Sequence, residues 1–315
     1  MTPVFDLRTV RECFPALDRR VDGREVAYFD GPAGSQVPQC VADAVADCML
    51  RTNANHGGPF ATSRESDERL DQAHHTLADF LGTDDPGAVS FGPNMTTLTF
   101  ALSRALGRSW QAGDEILVTQ LDHDANVTPW VLAARDAGAT IRSIAVREAD
   151  CTLDVDDFRN KLSEKTRLVA VGLASNATGT VNPVKEMARA AHEAGALMFV
   201  DAVHYAPHRL IDVVDLDCDF LTCSAYKFFG PHVGIQWGRR ELLDSIAAYK
   251  LRPAPEELPG RWMTGTQNHE GIVGAAAAVE YLASLAGADD APRRQRLAES
   301  FDAIVEWENQ LLKHL

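Results

Sequence analysis

Lys227 stands at the end of an apolar run in a chain that contains few lysines. The segment Asp219–Pro231 predicts a short buried strand that stops at a polar turn closed by Gly and Pro, and Lys227 lies at that stop. Only six of the 30 Lys and Arg residues are lysines, and we expect the other five to lie in exposed, helical segments: Lys161, Lys165, Lys185, Lys250 and Lys313. A buried ammonium group is costly unless it is paired or neutralised. Formation of a Schiff base is one way to neutralise it.

A carboxylate follows the preceding predicted strand. The apolar run Leu197–Val200 ends in Asp201, and Lys227 comes 26 residues later, after the next strand. A buried carboxylate also needs a partner. Asp201 and Lys227 could form a plain structural ion pair with no cofactor. They also match the two protein anchors of pyridoxal 5′-phosphate, in which an Asp contacts the pyridinium nitrogen and a Lys forms the aldimine.

Other predicted strand ends carry residues that could complete such a site. Gly92–Thr97 opens a helix, and the free N–H groups of a helix N-terminus suit a phosphate, although a simple cap by Asn94 explains the same pattern. The ring of His123 could stack on a planar group or could be structural. Asn176 stands in ordinary turn residues. These signals are individually weak, but they all fall at strand ends.

Metal binding is the alternative for one of these segments. Asp122, His123 and Asp124 are of the types that ligate metals. Neighbours in sequence do not converge on one ion without a turn that aims them, so we predict no metal site.

The elements that must position these residues alternate along the chain. Such alternation indicates βαβ units and an α/β fold of three layers, with helices on both faces of a mostly parallel sheet. In such sheets ligands bind at the carboxyl ends of the strands. We expect Gly113 and Gly138 each to close a helix before a strand, and three prolines predict a loop over 251–259. Strands are predicted at 89–91, 115–119, 140–146, 168–173, 197–201, 220–224 and 234–238, and helices at 94–107, 125–137, 154–163, 183–194, 239–249, 268–285 and 291–314.

Composition narrows the class of protein. The 315 residues carry a net charge of −15, which argues against partners such as nucleic acid or an anionic membrane. The first ten residues lack the apolar core of a signal peptide, and no apolar run approaches the roughly 20 residues needed to span a bilayer. The six cysteines are too sparse for a disulfide scaffold. We therefore expect a reduced, cytoplasmic protein.

Together these segments resemble the class V aminotransferase group of fold-type I pyridoxal-phosphate enzymes, specifically its cysteine desulfurase-like branch. The resemblance covers nearly the whole chain in unbroken order. It rests on Tyr28–Ser35, His123–Asn126, Ser175-Asn176, Asp201–His204, Ser224–Lys227, Gly265-Thr266 and Gly271–Ala278.

The resemblance implies roles for the residues that face the cofactor ring. Lys227 would form the internal aldimine and shuttle protons, and Asp201 would keep the pyridine nitrogen protonated. His123 would stack on the ring, which makes these three the expected catalytic residues. Asn176 would meet the phenolic oxygen. His204 stands near that oxygen, where this branch commonly has Gln.

The resemblance also implies a phosphate site and a dimer. The backbone around Asn94 and Met95, with the side chains of Asn94 and Ser224, would hold the phosphate. Tyr226 stands beside the lysine where the branch commonly has His, and like His204 it could still donate a hydrogen bond. Gly265 and Thr266 would reach the phosphate site of a second subunit, so a homodimer is expected.

The same resemblance suggests how the chain divides into domains. Residues 1–30 would be an N-terminal segment, 31–260 the cofactor-binding large domain, and 261–315 its return helix and the start of a small C-terminal domain that is otherwise missing. The missing part would carry the Arg that grips the substrate carboxylate and, in desulfurases, the nucleophilic cysteine. None of the six cysteines matches that motif: we predict Cys223 in the core, and Cys40 and Cys48 on an early helix with no base nearby.

Three interpretations of function follow. The first is a pyridoxal-phosphate enzyme that acts on an amino acid through Lys227, by sulfur release from L-cysteine or related lyase chemistry. An aminotransferase or epimerase of the same family is the alternative reaction. The second is a truncated cofactor-binding protein without catalytic activity, and the third is the structural ion pair without cofactor.

Overall fold

The computed structural model describes residues 5–286 and 290–314. The predicted N-terminal and C-terminal segments include residues 1–4, 287–289 and 315, which lie outside the described residues.

A seven-stranded sheet forms the centre of the molecule. Its strands follow one another in space in the order β1-β7-β6-β5-β4-β2-β3, and β7 alone runs antiparallel to its neighbours. The mostly parallel α/β sheet expected from the sequence is therefore confirmed. The strands are β1 Val89–Gly92, β2 Glu115–Thr119, β3 Thr140–Ile144, β4 Thr166–Gly172, β5 Leu197–Asp201, β6 Phe220–Ser224 and β7 Gly234–Gly238.

Helices flank the sheet and give the three-layer arrangement. The helix α7 packs against β4 and β5, α4 packs against β6 and β7, and α10 packs against α2, α3 and α11. The helices are α1 Leu7–Glu12, α2 Gln39–Arg51, α3 Ala61–Leu81, α4 Met95–Gly107, α5 Thr128–Ala137, α6 Val155–Lys161, α7 Val184–Glu193, α8 Val213–Leu216, α9 Arg240–Ser245, α10 His269–Ala283 and α11 Arg293–Leu312.

The central strands are buried on both faces because helices cover both sides of them. Every residue of β6 and β7 is buried, and apart from Gln236 their residues are apolar or small. Between the sheet and its helices, Trp130 packs edge-on against Phe199 with ring centroids 4.8 Å apart. This rigid core fixes where each strand ends.

Asp201 is the last residue of β5 and has a neighbour on each side. In the register of the sheet it pairs with Gly172 of β4 and with Thr222 of β6. The carboxyl ends of β4, β5 and β6 therefore lie side by side, as the strand-end rule requires.

The boundaries of several predicted strands and helices are wrong. The strand expected over 140–146 ends at Ile144, and Val146–Arg147 pairs instead with Thr152–Leu153 in a separate ribbon. The helix expected over 239–249 ends at Ser245, and the one expected from 125 begins at Thr128 after a short 3₁₀ turn.

Of the two predicted helix-closing glycines, one closes a helix. Gly138 follows α5 in the left-handed conformation, with φ of 74°. Gly113 also has a positive φ, but α4 has already ended at Gly107, so Gly113 belongs to the turn before β2. The early helical segment expected to carry Cys40 and Cys48 is α2, whereas α3 was not predicted.

The five other lysines differ partly from expectation. Lys161, Lys185 and Lys313 lie within or next to helices, but Lys165 and Lys250 lie in loops. The Lys250 side chain is only 14% exposed and pairs with Glu256 at 2.8 Å. It differs from Lys227 because its charge has a carboxylate partner.

In the ranges 5–286 and 290–314, no helix combines the length and the apolar character needed to cross a membrane.

Gly234, at the start of β7, allows two backbones to touch beside the turn before α4. A Cβ atom at this position would lie 2.7 Å from the Cα of Asn94. We expect Gly234→Ala to lower the free energy of unfolding by about 1–3 kcal/mol, because the backbone must shift to admit the methyl group. Urea denaturation measures this change.

Gly31→Ala is the matched control, since no atom lies within 4 Å of its would-be Cβ. Its effect should stay within about 0.5 kcal/mol. Equal effects of the two substitutions would show that the contact at Gly234 does not constrain the fold.

Candidate active site

A cavity of about 440 Å³ opens at the carboxyl ends of the central strands. It brings together nearly all the site residues expected from the sequence, although these are spread over more than a hundred positions. Thr266 is the exception and does not line this cavity. The predicted residues that do line it are Asn94, Met95, His123, Asn176, Asp201, His204, Ser224, Tyr226 and Lys227.

Lys227 lies in a 3₁₀ turn directly after β6 and is buried. Its Nζ donates a hydrogen bond to the carbonyl of Pro32 and lies 5.0 Å from the centroid of the Tyr226 ring. Burial lowers the pKa of Lys227, and the opposing attraction of Asp201 does not cancel the effect. The geometry thus favours a lysine that gives up its proton more easily than usual.

Asp201 faces the same cavity and is 8% exposed. The backbone N–H of Val203 donates to its Oδ1 at 2.8 Å. Burial raises the pKa of Asp201 to about 6, against the attraction of Lys227. Among the residues that the structure describes, no ion pair within 4.0 Å joins Asp201 to Lys227. The interpretation of these two residues as a structural ion pair is therefore wrong.

His123 follows β2 and presents its ring at the mouth of the cavity. Its Nδ1 accepts a hydrogen bond from the backbone N–H of Ala125 at 3.1 Å. In the neutral ring Nε2 then carries the hydrogen. The ring is exposed and held from one side, which suits stacking on a planar group.

The turn before α4 joins β6 at the end of the cavity expected to bind phosphate. The backbone N–H of Met95 donates to Ser224 Oγ at 3.0 Å, which leaves the Ser224 hydrogen free to be donated elsewhere. Asn94 Oδ1 accepts from the N–H of Thr97 at 2.9 Å, as an N-cap does. The amide nitrogen of Asn94 is then the part of its side chain that could meet an anion.

Tyr226 ties the lysine to the loop opposite. Its carbonyl accepts hydrogen bonds from the backbone N–H of Ser35 at 3.0 Å and from Ser35 Oγ at 3.1 Å. Its ring stacks on His232 with centroids 5.1 Å apart and an angle of 15° between the planes. These contacts hold the loop that carries Pro32 against the Lys227 turn.

His204 is partly buried on the far side of the lysine. Burial lowers its pKa, with smaller contributions from His208 and Lys227. The rings of His204 and His208 lie 5.2 Å apart, and His208 Nδ1 is 2.6 Å from Glu308 Oε1. Glu308 therefore fixes His208, which packs against His204. Asn176 lines the cavity next to Ser175, whose hydroxyl accepts hydrogen bonds from the turn that follows.

Asp122 is a site residue that the sequence did not reveal, because it was considered only as a metal ligand. Its two carboxylate oxygens accept from the N–H of Gly172 at 2.9 and 3.0 Å, and Asn126 Nδ2 donates to it at 2.8 Å. A Cβ on Gly172 would lie 2.7 Å from Asp122 Oδ1. The carboxylate thus clamps the His123 loop onto the end of β4, next to Asp201. The sequence did contain a signal for this role, because Asp122 directly precedes a His that follows a strand.

The neighbouring acidic residues do not form a metal site. Asp122 points to Gly172, whereas Asp124 accepts from Thr128 Oγ1 at 2.8 Å. Within residues 5–286 and 290–314, no group of three or more His, Cys, Asp or Glu side chains is arranged to hold a metal ion.

All six cysteines are free, and none of them lines the cavity. Cys223 is fully buried within β6, as predicted, and burial raises the pKa of its thiol. Cys48 is also buried, whereas Cys40 is exposed on α2.

The residues present fit pyridoxal phosphate. A buried amine and a buried carboxylate, which form no ion pair with each other, face one cavity from adjacent strand ends. A helix N-terminus and a serine hydroxyl close one end of the cavity, where a side chain at position 234 would intrude on the turn. An imidazole stands at the mouth. The amine suits the aldehyde of the cofactor, and the carboxylate suits its pyridine nitrogen. The helix N-terminus and the serine suit its phosphate, and the imidazole suits its planar ring.

The raised pKa of Asp122 yields a test that needs no cofactor. Burial, with a smaller contribution from Asp201, raises it to about 7, above the ordinary value of about 3.9. The folded protein therefore binds this proton more tightly than the unfolded chain, so stability falls as pH rises from about 4 to about 7. We expect Asp122→Asn to reduce this fall by at most a few kcal/mol, measured by urea denaturation across that range.

Asp124→Asn is the control, since Asp124 is exposed and bonded within its own turn. It should keep the pH dependence of the unsubstituted protein. If Asp122→Asn keeps it as well, Asp122 does not carry the proton.

Comparison with known proteins agrees with the geometry. A family profile described as aminotransferase class-V matches residues 27–308. A Halalkalibacterium halodurans protein named "probable cysteine desulfurase" is 32% identical, over 95% of this chain and 77% of its own length. A cysteine desulfurase of Enterobacter sp. strain 638 is 32% identical, over 98% of this chain and 76% of its own length.

A solved structure shows the same arrangement of elements. The apo structure of a cysteine desulfurase from Thermococcus onnurineus NA1 superposes with a TM-score of 0.86 at 26% identity. The match covers all of this chain and 76% of the other. The chain therefore belongs to the class V aminotransferase family and is similar to its cysteine desulfurases.

Proposed function

We propose that this chain binds pyridoxal 5′-phosphate and acts on an amino acid through Lys227, with the chemistry of the cysteine desulfurase-like enzymes. Members of the family use this cofactor, and relatives named cysteine desulfurase match most of the chain. One observation carries the proposal: Lys227 and Asp201 are buried, are not paired with each other, and face one cavity. Unpaired buried charges are costly, and a bound group that meets both of them removes the cost.

The cofactor, when bound, supplies an electron sink for negative charge at the substrate α-carbon. Lys227 provides the amine, and its lowered pKa raises the share of the neutral, nucleophilic form at neutral pH. With a substrate bound, the same amine would be placed to take or return a proton beside the α-carbon. Asp201, ionised above a pKa of about 6, holds a proton on the ring nitrogen.

The remaining residues orient the ring. His123 covers one face, and the clamp of Asp122 on Gly172 holds its loop in place. Asn176 and His204 are proposed to meet the phenolic oxygen, with Tyr226 beside the lysine. Asn94, Met95 and Ser224 are proposed to hold the phosphate with the N-terminus of α4, where the helix dipole favours an anion.

A second subunit is proposed to complete the phosphate end. Gly265 has a φ of 75°, and Thr266 does not line its own chain's cavity but a neighbouring pocket with Pro93 and Gln267. Thr266 is therefore proposed to contact the cofactor phosphate of another copy. The six free cysteines fit a reducing compartment, and we propose that the protein is cytoplasmic.

Transamination or epimerisation is the second candidate reaction. The resemblance assigns sulfur acceptance in desulfurases to a cysteine, and none of the six cysteines of this chain lines the cavity. Proton transfer at the α-carbon needs only Lys227 from the protein. The same site therefore supports either reaction.

Substitution of Lys227 tests whether its amine binds the cofactor. Lys227→Ala should abolish the visible absorbance of protein reconstituted with pyridoxal phosphate, because no amine remains to bind the aldehyde. Cys223→Ser should keep the absorbance, since Cys223 is buried in β6 and does not line the cavity. Loss of colour in the cysteine variant would show that Cys223 belongs to the site.

Reaction assays on the coloured protein then distinguish the two candidate reactions. Sulfide release from L-cysteine supports the desulfurase reaction, and amino-group transfer or loss of α-carbon chirality in an amino-acid panel supports the second candidate. Coloured protein that gives none of these reactions would support a cofactor-binding protein without activity. Colourless protein after reconstitution would contradict the whole proposal.

A further inference from the structure

A row of polar side chains crosses the buried sheet next to Asp201. In the register of the strands, Asp201 of β5 pairs with Thr222 of β6, which also pairs with Gln236 of β7. Gln236 in turn pairs with Ser90 of β1. Side chains paired in register lie on the same face, with about 4.8 Å between neighbouring strands. Ser224, two positions after Thr222, binds the start of α4, so this face lies under α4.

Three members of this row are buried without a hydrogen-bond partner. Thr222, Gln236 and Ser90 are 0%, 1% and 2% exposed. Within the part of the chain that the structure describes, no group forms a hydrogen bond with Thr222 Oγ1, Gln236 Oε1 or Ser90 Oγ. Unpaired polar atoms in a protein interior cost free energy, and internal water molecules commonly bind to them. Apolar side chains at these positions would avoid that cost.

Asp201 is the member of the row that gains most from a further donor. Among the described groups, only the N–H of Val203 donates to its carboxylate. Thr222 Oγ1 does not reach Asp201 directly, and a water molecule is the usual bridge across such a gap. The titratable groups that face Asp201 are Asp122 after β2, Lys227 and Tyr226 after β6, and Cys223 within β6.

We propose that Thr222 and Gln236 bind an internal water molecule beside Asp201, and that this water donates a hydrogen bond to the Asp201 carboxylate and keeps it ionised. The water accepts from Thr222 Oγ1 and donates to Gln236 Oε1 and to Asp201, which gives it the roughly three hydrogen bonds typical of buried water. Thr222 and Gln236 are then positioning residues that act through Asp201. Only the benefit of this site to the cofactor's ring nitrogen rests on the proposed function.

Thr222→Val removes the hydroxyl and tests the site in the cofactor-free protein. We expect ionisation of Asp201 to weaken roughly 3- to 10-fold, because the carboxylate loses a donor. The pKa of Asp201 is about 6 in the folded protein, above its ordinary value, so stability falls as pH rises through this range. Weaker ionisation extends that fall to higher pH. Urea denaturation should therefore show that Thr222→Val costs more stability at about pH 8 than at about pH 4.

Thr222→Ser is the matched control because it keeps a hydroxyl. Its cost should be the same at both pH values. In an Asp201→Asn background the cost of Thr222→Val should also be the same at both, although Asp122 and Lys227 still titrate there. A pH-independent cost of Thr222→Val in the unsubstituted background would overturn the inference. A pH-dependent cost that survives Asp201→Asn would overturn it as well.

A high-resolution crystal structure of the cofactor-free protein tests the water site even if the variants do not fold. We expect a water molecule within hydrogen-bond distance of Thr222 Oγ1, Gln236 Oε1 and the Asp201 carboxylate. Density without water at this place would contradict the inference. Neither this result nor the urea measurements depend on reconstitution, so failure to bind pyridoxal phosphate would remove the proposed function and leave the water site standing.

Discussion

The structure depends on keeping an amine and a carboxylate buried at adjacent strand ends without pairing them. Parallel packing of β5 and β6 puts Asp201 and the Lys227 turn side by side, and the apolar core below them excludes water. Burial outweighs their mutual attraction, since the pKa of Asp201 rises and that of Lys227 falls. A bound group that carries both a carbonyl and a basic nitrogen would relieve the cost of burying these two charges.

The surrounding contacts hold this arrangement in position. Pro32 accepts from Lys227, and Ser35 binds the carbonyl of Tyr226, so one loop buttresses the lysine turn. On the other side Asp122 binds Gly172, which pairs with Asp201 in the sheet. Close to the lysine turn, the rings of Phe14, Phe229 and Tyr281 pack edge-on against one another.

The sequence predicted what depends on local pattern. Apolar runs located all seven sheet strands, and the strand-end rule led from Lys227 to Asp201 and His123, while the resemblance to a family supplied the roles of Asn176 and Tyr226. It did not predict what depends on contacts distant in sequence. The clamp of Asp122 needs Gly172, fifty positions away, and the aromatic packing of Phe14 needs Phe229 and Tyr281 from two other segments. The prediction that Gly113 closes a helix was wrong because turns as well as helix ends use a glycine with positive φ. The ion-pair alternative for Asp201 could be rejected only from coordinates.

The central claim is that the buried amine of Lys227 is the point of attachment for pyridoxal phosphate. Borohydride reduction of the reconstituted protein, followed by peptide mass mapping, tests this most directly. The account predicts one modified peptide, carrying the reduced cofactor on Lys227, with the other five lysines unmodified at stoichiometric cofactor. Modification of Lys250 or a surface lysine in place of Lys227, or no modified peptide at all, would contradict it.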